Sequence, residues 1–253
     1  MKKYIEVFPQ FSEITGFFSG KELAVEGSPY DNPGFIERIG LGDADIVWPG
    51  QIHGDTIAVI DRGIYDDEAA SGEDDRAIGR KIRVPDTDGA VTNLEGVLLT
   101  TVHADCLPVY FYDPVKGAIG LVHSGWRGTN LGIAPKCVRV MTEEYGSNPA
   151  DVHSFIGPGI CKDCFETGPE VRDEFMKHWP FIDDFAVPKG EKFYIDLKGI
   201  VKRQLLDAGL DEESIEVTDH CTYHEPELFC SYRREGGTYM RMGAGLCIKK
   251  DLK

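Results

Sequence analysis

Three consecutive runs between residues 97 and 124 constrain the fold more than any other feature of this sequence. They read VLLTTVHA (97–104), PVYFYD (108–113) and AIGLVHS (118–124), and each consists mainly of apolar and β-branched residues. A strand with one face in solvent alternates apolar and polar residues, whereas a strand buried on both faces is apolar throughout. The chain therefore predicts a sheet that is covered on both sides.

Further strand-like runs alternate with amphipathic helical segments along the rest of the chain. The additional predicted strands are DTIAVI (55–60), GAVTN (89–93), DVHSFIG (151–157), SIEVTD (214–219), LFCSYR (228–233) and GAGLCIK (243–249). Predicted helices cover residues 132–145, with Thr129 and Asn130 as candidate N-caps, 169–178 and 196–208. Many strands with few helices favour stacked sheets with helices outside them over a single doubly wound sheet. Because the 253 residues show no repeat and no linker, we expect one α/β domain over residues 1–253.

Charge and cysteine usage restrict the partners and the compartment that we expect. The formal net charge of −16 repels phosphate backbones and anionic lipid heads, which argues against nucleic acid and membranes as partners. Much of the acid lies in residues 65–75, which we predict to be a solvated loop of unassigned role. Seven scattered cysteines and no signal segment or spanning helix predict a soluble, cytoplasmic protein. The sequence leaves the oligomeric state open between a monomer and a small homo-oligomer.

Three motifs place metal-binding side chains next to Gly or Pro at the ends of predicted strands. They are PGQIHGD (49–55), HADCLP (103–108) and LVHSGWRGT (121–129). If the strands on either side of residues 114–117 pair as a hairpin-like unit, Cys106 and His123 can reach the same end of the sheet. Two imidazoles and one thiolate suit a catalytic zinc ion that keeps its fourth position open. From spacing alone, a buried cysteine and two hydrogen-bonded histidines are the favoured interpretation.

Together with four other segments, these motifs resemble the laccase-domain family, also called the multicopper polyphenol oxidase or YfiH family. The other segments are TDGAVTN (87–93), FIGPGI (155–160), the predicted helix 196–210 and CSYRRE (230–235). The resemblance implies that His53, Cys106 and His123 bind zinc. It also implies a layered α/β/β/α mixed-sheet fold, similar to that of a bacterial toxin class with a Cys–His catalytic pair. Family members of this kind cleave adenosine, inosine and guanosine with phosphate, and also deaminate adenosine.

The sequence departs from the family pattern at two positions that bear on the site. His103 stands where the family usually has Thr, so it either adds an imidazole near the metal or only ends a strand. In the segment 238–248 the usual Thr-Gly-Arg spacing is missing, and Arg241 is the candidate replacement for that arginine.

The resemblance predicts a role for several polar residues. Phosphorolysis needs a group that holds an anionic phosphate, and Arg127 or Arg233 can supply paired contacts to it while zinc acts as a Lewis acid. In deamination, Asp105 or Asp55 would move the proton. Both arginines can instead tie loops together, and Asp105 can instead support a metal ligand or cap a strand.

Three other enzymatic functions are alternatives to nucleoside cleavage. Cys106 as a nucleophile with His123 as its base would give a metal-free hydrolase. A peptidoglycan-precursor editing amidase would use the zinc site. Copper oxidation of phenols is disfavoured, because the chain has seven histidines and no H-x-H pair.

A non-enzymatic alternative is a structural zinc module. Cys161 and Cys164 form a C-x-x-C motif without a second such pair, and Cys221 with His224 is a candidate complement. From the sequence, free thiols are the favoured interpretation of these cysteines.

Overall fold

The computed structural model describes residues 4–31, 33–42, 44–63 and 80–250, and the predicted acidic loop at 65–75 lies outside them. The strands are β1 (Tyr4–Val7), β2 (Ile14–Ser19), β3 (Val25–Glu26), β4 (Asp45–Pro49), β5 (Ile57–Ile60), β6 (Lys81–Val84), β7 (Gly89–Thr92), β8 (Val97–His103), β9 (Leu107–Asp113), β10 (Ala118–Ser124), β11 (His153–Ile156), β12 (Glu166–Thr167), β13 (Ala186–Lys189), β14 (Lys192–Ile195), β15 (Ile215–Val217) and β16 (Met240–Ile248). The α-helices are α1 (Pro33–Arg38), α2 (Trp126–Asn130), α3 (Ile133–Tyr145), α4 (Pro169–His178) and α5 (Leu197–Asp207).

Two large mixed sheets form the centre of the molecule. The first has the order β1-β2-β16-β8-β4-β6, with β3 paired to β16, and the second has the order β15-β11-β9-β10-β7-β5. In the first sheet β4 runs parallel to β6 and β8, and in the second β5 runs parallel to β7 and β11 to β15. A small antiparallel sheet, β12-β14-β13, completes the described strands.

Three buried clusters show that the sheets are stacked in layers. One cluster lies between the two large sheets, a second between the second sheet and α3, α4 and α5, and a third between the first sheet and α1. Strand β9 shows why its sequence is continuously apolar: Tyr110 and Tyr112 face the cluster between the sheets, whereas Val109 and Phe111 face the helices. Because successive side chains of a strand point to opposite faces, a strand in the middle of four layers needs apolar residues on both. The layered α/β/β/α fold is therefore confirmed.

Most of the predicted elements are present, and two predictions are wrong. The three apolar runs form β8, β9 and β10, and the three predicted helices form α3, α4 and α5. No strand forms at 228–233: the backbone N–H groups of Leu228 and Phe229 both donate to the carbonyl of Glu225, which closes a turn. Phe229 and Cys230 are buried although Leu228 and Tyr232 in the same loop are exposed, so the apolar pattern did not distinguish a partly buried loop from a strand.

The second wrong prediction concerns the start of α3. Thr129 and Asn130 belong to the separate short helix α2, and the N-cap of α3 is Gly132 in a left-handed conformation with φ of 74°. The hydroxyl of Thr129 bonds within its own turn, to the carbonyl of Gly125 at 3.0 Å.

Within the described part of the chain, no helix has the length and apolar character needed to span a membrane.

Candidate metal centre

Cys106 lies where the chain crosses from the first large sheet to the second, between β8 and β9. Strands β9 and β10 pair antiparallel, with His123 opposite Pro108 and Ser124 opposite Leu107. The anticipated hairpin-like pairing is therefore present. It brings the end of β10 beside the start of β9, so that His123 and Cys106 lie at the same end of the second sheet.

His53 reaches this end of the sheet from the loop that follows β4. Two non-glycine residues in this loop have positive φ angles, 50° at Gln51 and 63° at His53. The Gln51 amide holds the loop to β8, since its Nε2 donates to the Val102 carbonyl at 2.9 Å and its Oε1 accepts from the Val102 N–H at 2.8 Å. Backbone in this sparsely populated conformation is held by its surroundings, and it is concentrated at functional sites.

The three side chains converge on one point. His53, Cys106 and His123 each offer one ligand atom, and these atoms all lie within 4.8 Å of one another. The rings of His53 and His123 are nearly perpendicular, with centroids 4.8 Å apart. His123 is buried, Cys106 is partly exposed and His53 is exposed, so the cluster opens to solvent on the His53 side.

Asp88 supports two members of this cluster, and sequence reasoning did not single it out. Its Oδ1 lies 2.9 Å from Nδ1 of His123 and accepts from the His53 backbone N–H at 3.0 Å, while Oδ2 accepts from the Gly54 N–H at 2.7 Å. A carboxylate on Nδ1 fixes the imidazole so that Nε2 is free to bind a metal. The available signal was its place at the start of β7 in TDGAVTN, where a polar residue precedes a buried strand.

The charges within the cluster favour a thiolate beside an imidazolium when only protein groups are considered. Burial raises the pKa of the Cys106 thiol, but His123 and His53 outweigh it and lower that pKa to about 6. Burial likewise lowers the pKa of His123, but Cys106 and Asp88 raise it to about 9. Burial also opposes ionisation of Asp88, and the hydrogen bond from His123 together with those from the loop lowers its pKa nonetheless. An ionised thiol is the form of cysteine that binds metals and acts as a nucleophile.

The donor set fits a divalent metal ion such as zinc. Zinc takes imidazole and thiolate ligands in tetrahedral geometry, and three protein ligands leave one position for a reactant. The absence of a side chain at Gly125 keeps the space beside the ligands free for a reactant. A Cβ at this position would lie 3.0 Å from Sγ of Cys106 and 3.2 Å from Cδ2 of His53. We therefore identify a Cys/His cluster that can bind a metal ion, and Gly125 as a residue of the site that sequence reasoning did not single out.

His103 lies beside the cluster but uses both ring nitrogens for other contacts. Its Nδ1 is 3.0 Å from the carbonyl oxygen of Cys106, and its Nε2 is 2.7 Å from Oγ1 of Thr101. Because a carbonyl only accepts, Nδ1 carries the proton and Nε2 accepts from the threonine hydroxyl. Burial lowers the pKa of His103 far below its usual value, so the ring is neutral. The arrangement favours support of the Cys106 backbone over metal binding.

Asp105 anchors two distant loops. Its Oδ1 accepts from the Thr222 hydroxyl at 2.6 Å and its Oδ2 accepts from the backbone N–H of Arg233 at 2.7 Å. The residue is buried, and its backbone has a positive φ of 93°. Both oxygens are thus engaged by the protein, an arrangement that favours positioning of the neighbouring Cys106 over proton transfer. Asp55, the other candidate for proton transfer, pairs with Lys136 at 2.9 Å.

The three arginines singled out in the sequence have different surroundings. Arg127 is exposed and its guanidinium lies over the ring of Trp126, 4.4 Å from the centroid. Arg233 donates from Nη1 to the carbonyl of Glu166 at 2.8 Å. Arg241 donates to the carbonyls of Thr238 and Met240. Of the three guanidinium groups, that of Arg127 alone has no hydrogen bond or ion pair with a residue in the described ranges.

The fold and the site define a class: layered α/β/β/α proteins with a Cys/His cluster that can bind a metal ion, located where the chain crosses between two stacked sheets. The family model described as multi-copper polyphenol oxidoreductase laccase matches residues 32–249, and the chain belongs to this family. In structure it is similar to the crystal structure of the Bacillus licheniformis hypothetical protein YfiH, with a TM-score of 0.84 and 29% identity, covering 98% of this chain and 97% of that one.

Two relatives carry names that describe an activity. The protein named purine nucleoside phosphorylase YlmD of Bacillus subtilis is 40% identical over 166 residues, which cover 65% of this chain and 59% of that protein. This chain therefore aligns with less than two thirds of that relative's length. The protein named adenosine deaminase RL5, from an unknown prokaryotic organism, is 33% identical over 217 residues, covering 84% of this chain and 78% of that protein.

Proposed function

We propose that this protein is a purine nucleoside phosphorylase that acts through one zinc ion held by His53, Cys106 and His123. The observation that carries the proposal is the convergence of their three ligand atoms within 4.8 Å on a face that opens to solvent. The names of the relatives support the reaction class, one being a purine nucleoside phosphorylase and another an adenosine deaminase. We propose the second reaction as an additional activity of the same site.

The donor set supports zinc over the copper in the family's description. A single site with two imidazoles and a thiolate suits either metal, but oxidation of phenols by copper oxidases draws on several closely spaced imidazoles. His103, whose ring centroid is 5.4 Å from that of His123, already uses both of its nitrogens. One isolated ion fits Lewis-acid chemistry better than oxidation of phenols.

Phosphorolysis breaks the bond between ribose and base while phosphate attacks the sugar carbon, so the site must hold an anion and stabilise the departing purine. A bound zinc supplies a Lewis acid that stabilises negative charge developing on an oxygen. We assign the phosphate contact to Arg127, because its guanidinium is exposed and pre-positioned by stacking on Trp126. We assign Arg233 and Asp105 to positioning, because both already bond to the protein.

Asp88 and Gly125 complete the site in this proposal. Asp88 keeps the His123 ring oriented with Nε2 toward the cluster. Gly125 leaves the space beside the three ligands free of a side chain, where a reactant can approach.

The test combines metal analysis with product analysis. Purified wild type, Cys106→Ala and the matched control Cys247→Ala are assayed for zinc and incubated with adenosine in the presence and absence of phosphate. We expect phosphate-dependent release of adenine in the wild type and the control, with phosphate-independent formation of inosine as the deaminase activity. We expect Cys106→Ala to lose zinc from this site and both products together. Unchanged adenine release by Cys106→Ala would refute the proposal.

A metal-free Cys–His hydrolase is the second candidate, and the charges of the cluster favour it specifically. The low pKa of Cys106, the raised pKa of His123 and the Asp88 contact are the features of an activated cysteine nucleophile. Chelation distinguishes the two candidates, because it would abolish a zinc-dependent reaction and leave a thiolate nucleophile active. The amidase on peptidoglycan precursors would use the same zinc, so only hydrolysis of an L-Ser-containing precursor in a parallel assay separates it.

A further inference from the structure

A second group of metal-binding side chains lies outside the catalytic cluster. Cys161, Cys164, Cys221 and His224 each offer one ligand atom, and the four atoms all lie within 4.8 Å of one another. Sγ of Cys164 is 3.0 Å from Nε2 of His224, and Sγ of Cys161 is 3.8 Å from Nδ1 of the same ring. In the function proposed above, none of these four residues has a part.

The four residues come from two turns with the same spacing, Cys-x-x-Cys and Cys-x-x-His. In the first turn the N–H groups of Cys164 and Phe165 both donate to the Cys161 carbonyl at 3.0 Å. The second turn is closed by the Glu225 N–H, which donates to the Cys221 carbonyl at 3.2 Å. A tight turn with ligands three residues apart is the way in which structural zinc sites present a pair of donors.

The backbone joins the two turns and thereby brings the two pairs of ligands together. Gly159 and Cys221 form a parallel β-bridge, and the Thr222 N–H donates to the Gly159 carbonyl at 3.1 Å. The contact is between residues about 60 positions apart, so the separation in sequence hides the combined pattern. This is why the sequence offered Cys221 and His224 only as a candidate complement of the C-x-x-C motif.

The separations and the chemistry fit a tetrahedral zinc ion. With Zn–S bonds of about 2.3 Å, two thiolates of a tetrahedral site lie about 3.8 Å apart, and a thiolate and an imidazole nitrogen slightly less. Three cysteines and one histidine fill all four positions, which is typical of a structural rather than a catalytic zinc site.

The surroundings offset the negative charge that three thiolates would leave on a bound zinc. The backbone N–H of Cys161 donates to Sγ of Cys221 at 3.3 Å. Lys198, which is only 8% exposed, donates to the carbonyls of Thr218 and His220 just before the second turn. N–H groups and a buried ammonium stabilise thiolates, as outer partners of metal ligands do.

We propose that Cys161, Cys164, Cys221 and His224 bind a second, structural zinc ion, which joins the loop at 161–164 to the loop at 221–224. The joined loops support the catalytic cluster. Thr222 donates to Asp105, the residue before Cys106, and the Ile160 N–H donates to the Asp105 carbonyl at 2.9 Å. The second zinc therefore holds in place the backbone that presents Cys106.

This proposal does not rest on the proposed enzymatic function, and counting metal ions separates the two. Zinc per chain is measured on purified wild type, Cys106→Ala, the double variant Cys161→Ser/Cys164→Ser and the control Cys247→Ala. We expect two ions per chain in the wild type and the control, and one in each of the other two. If the first proposal fails alone, Cys106→Ala keeps the wild-type count; if the second fails alone, the double variant keeps it.

Two measurements on folded protein guard against misfolding of the variants. Cobalt(II) substituted into the Cys106→Ala protein reports only the second site, and we expect intense thiolate-to-cobalt absorption and tetrahedral bands there. Chelation should lower the melting temperature of Cys106→Ala, but not that of the triple variant Cys106→Ala/Cys161→Ser/Cys164→Ser. An unchanged zinc count in the double variant Cys161→Ser/Cys164→Ser, or a disulfide between two of these cysteines in protein purified under reducing conditions, would overturn the proposal.

Discussion

The Asp88 carboxylate is the residue whose replacement tests the site most sharply. It is completely buried and accepts three hydrogen bonds, from the His123 ring and from the backbone of His53 and Gly54. In Asp88→Asn the shape is kept, but one acceptor becomes an NH₂ group. If the NH₂ group replaces Oδ2, it faces the Gly54 N–H at 2.7 Å; if it replaces Oδ1, it faces the His53 N–H at 3.0 Å. In either orientation at least one N–H donor loses its acceptor.

The magnitude follows from the number of contacts that are lost. A buried donor left without an acceptor costs about 1–3 kcal/mol, and a hydrogen bond to a charged group contributes about 1.5–3 kcal/mol. Part of this loss falls on the orientation of His123 and the remainder on the loop that carries His53. Since outer partners of metal ligands are worth roughly 10–100-fold in metal affinity, we expect zinc binding at this site to weaken by that factor, or about 1.4–2.8 kcal/mol.

The assay is a zinc competition titration against a chelator of known affinity. It is carried out in the Cys161→Ser/Cys164→Ser background, so that only the ion at His53, Cys106 and His123 is measured. Asp113→Asn is the matched control, because Asp113 is also completely buried and its Oδ1 accepts the backbone N–H groups of Val115 and Lys116, away from the metal ligands. We expect that control to lower stability without weakening zinc binding. Wild-type zinc affinity in folded Asp88→Asn would refute the argument that Asp88 orients the ligands.

Three further predictions address the same site. Gly125→Ala should lose activity and the zinc ion at His53, Cys106 and His123 with little change in melting temperature, because the new Cβ would lie 3.0 Å from Sγ of Cys106. The control Gly42→Ala should retain that zinc ion and the activity, because its new Cβ would have no other atom within 4 Å. Arg127→Ala should raise the KM for phosphate roughly 10–100-fold, which is the effect expected for loss of one charge-assisted hydrogen bond. The exposed control Arg139→Ala should leave this KM unchanged. An unchanged phosphate KM in Arg127→Ala would contradict the assignment of the phosphate contact to Arg127. The third prediction concerns the rate of Cys106 alkylation, followed by mass spectrometry in chelator-treated protein. This rate should rise with pH and reach half of its plateau near the pKa of about 6, because the thiolate forms above that pH, and added zinc should protect the residue. A midpoint near pH 8.5 would contradict the thiolate–imidazolium pair.

Local sequence patterns determined most of the middle of the fold. The apolar runs of β8, β9 and β10 indicated strands buried on both sides, and the spacing of apolar residues indicated α3, α4 and α5. These elements are predictable because each follows from burial of its own side chains. The strands β1 to β4, β6 and β12 to β14 were not predicted, and the loop at 228–233 was taken for a strand, because short runs of apolar residues do not reveal which neighbour buries them.

The residues of the site were recognisable as types and motifs, but their arrangement was not. His53, Cys106 and His123 stood out because each lies within two residues of Gly or Pro at a strand end, and because of the family resemblance. Asp88 did not stand out, since a single aspartate before a strand has many uses, and its role depends on the loop of His53 folding over it.

Only the tertiary structure decided which side chains share a position in space. The pairing of β9 with β10 brings His123 next to Cys106, and the bridge between Gly159 and Cys221 unites two pairs of ligands that are about 60 residues apart. A metal ion binds donors at a fixed distance from one another, and distance between residues far apart in the chain is set by strand pairing and packing of layers. The order of residues specifies the donors, and the folded backbone specifies their separation.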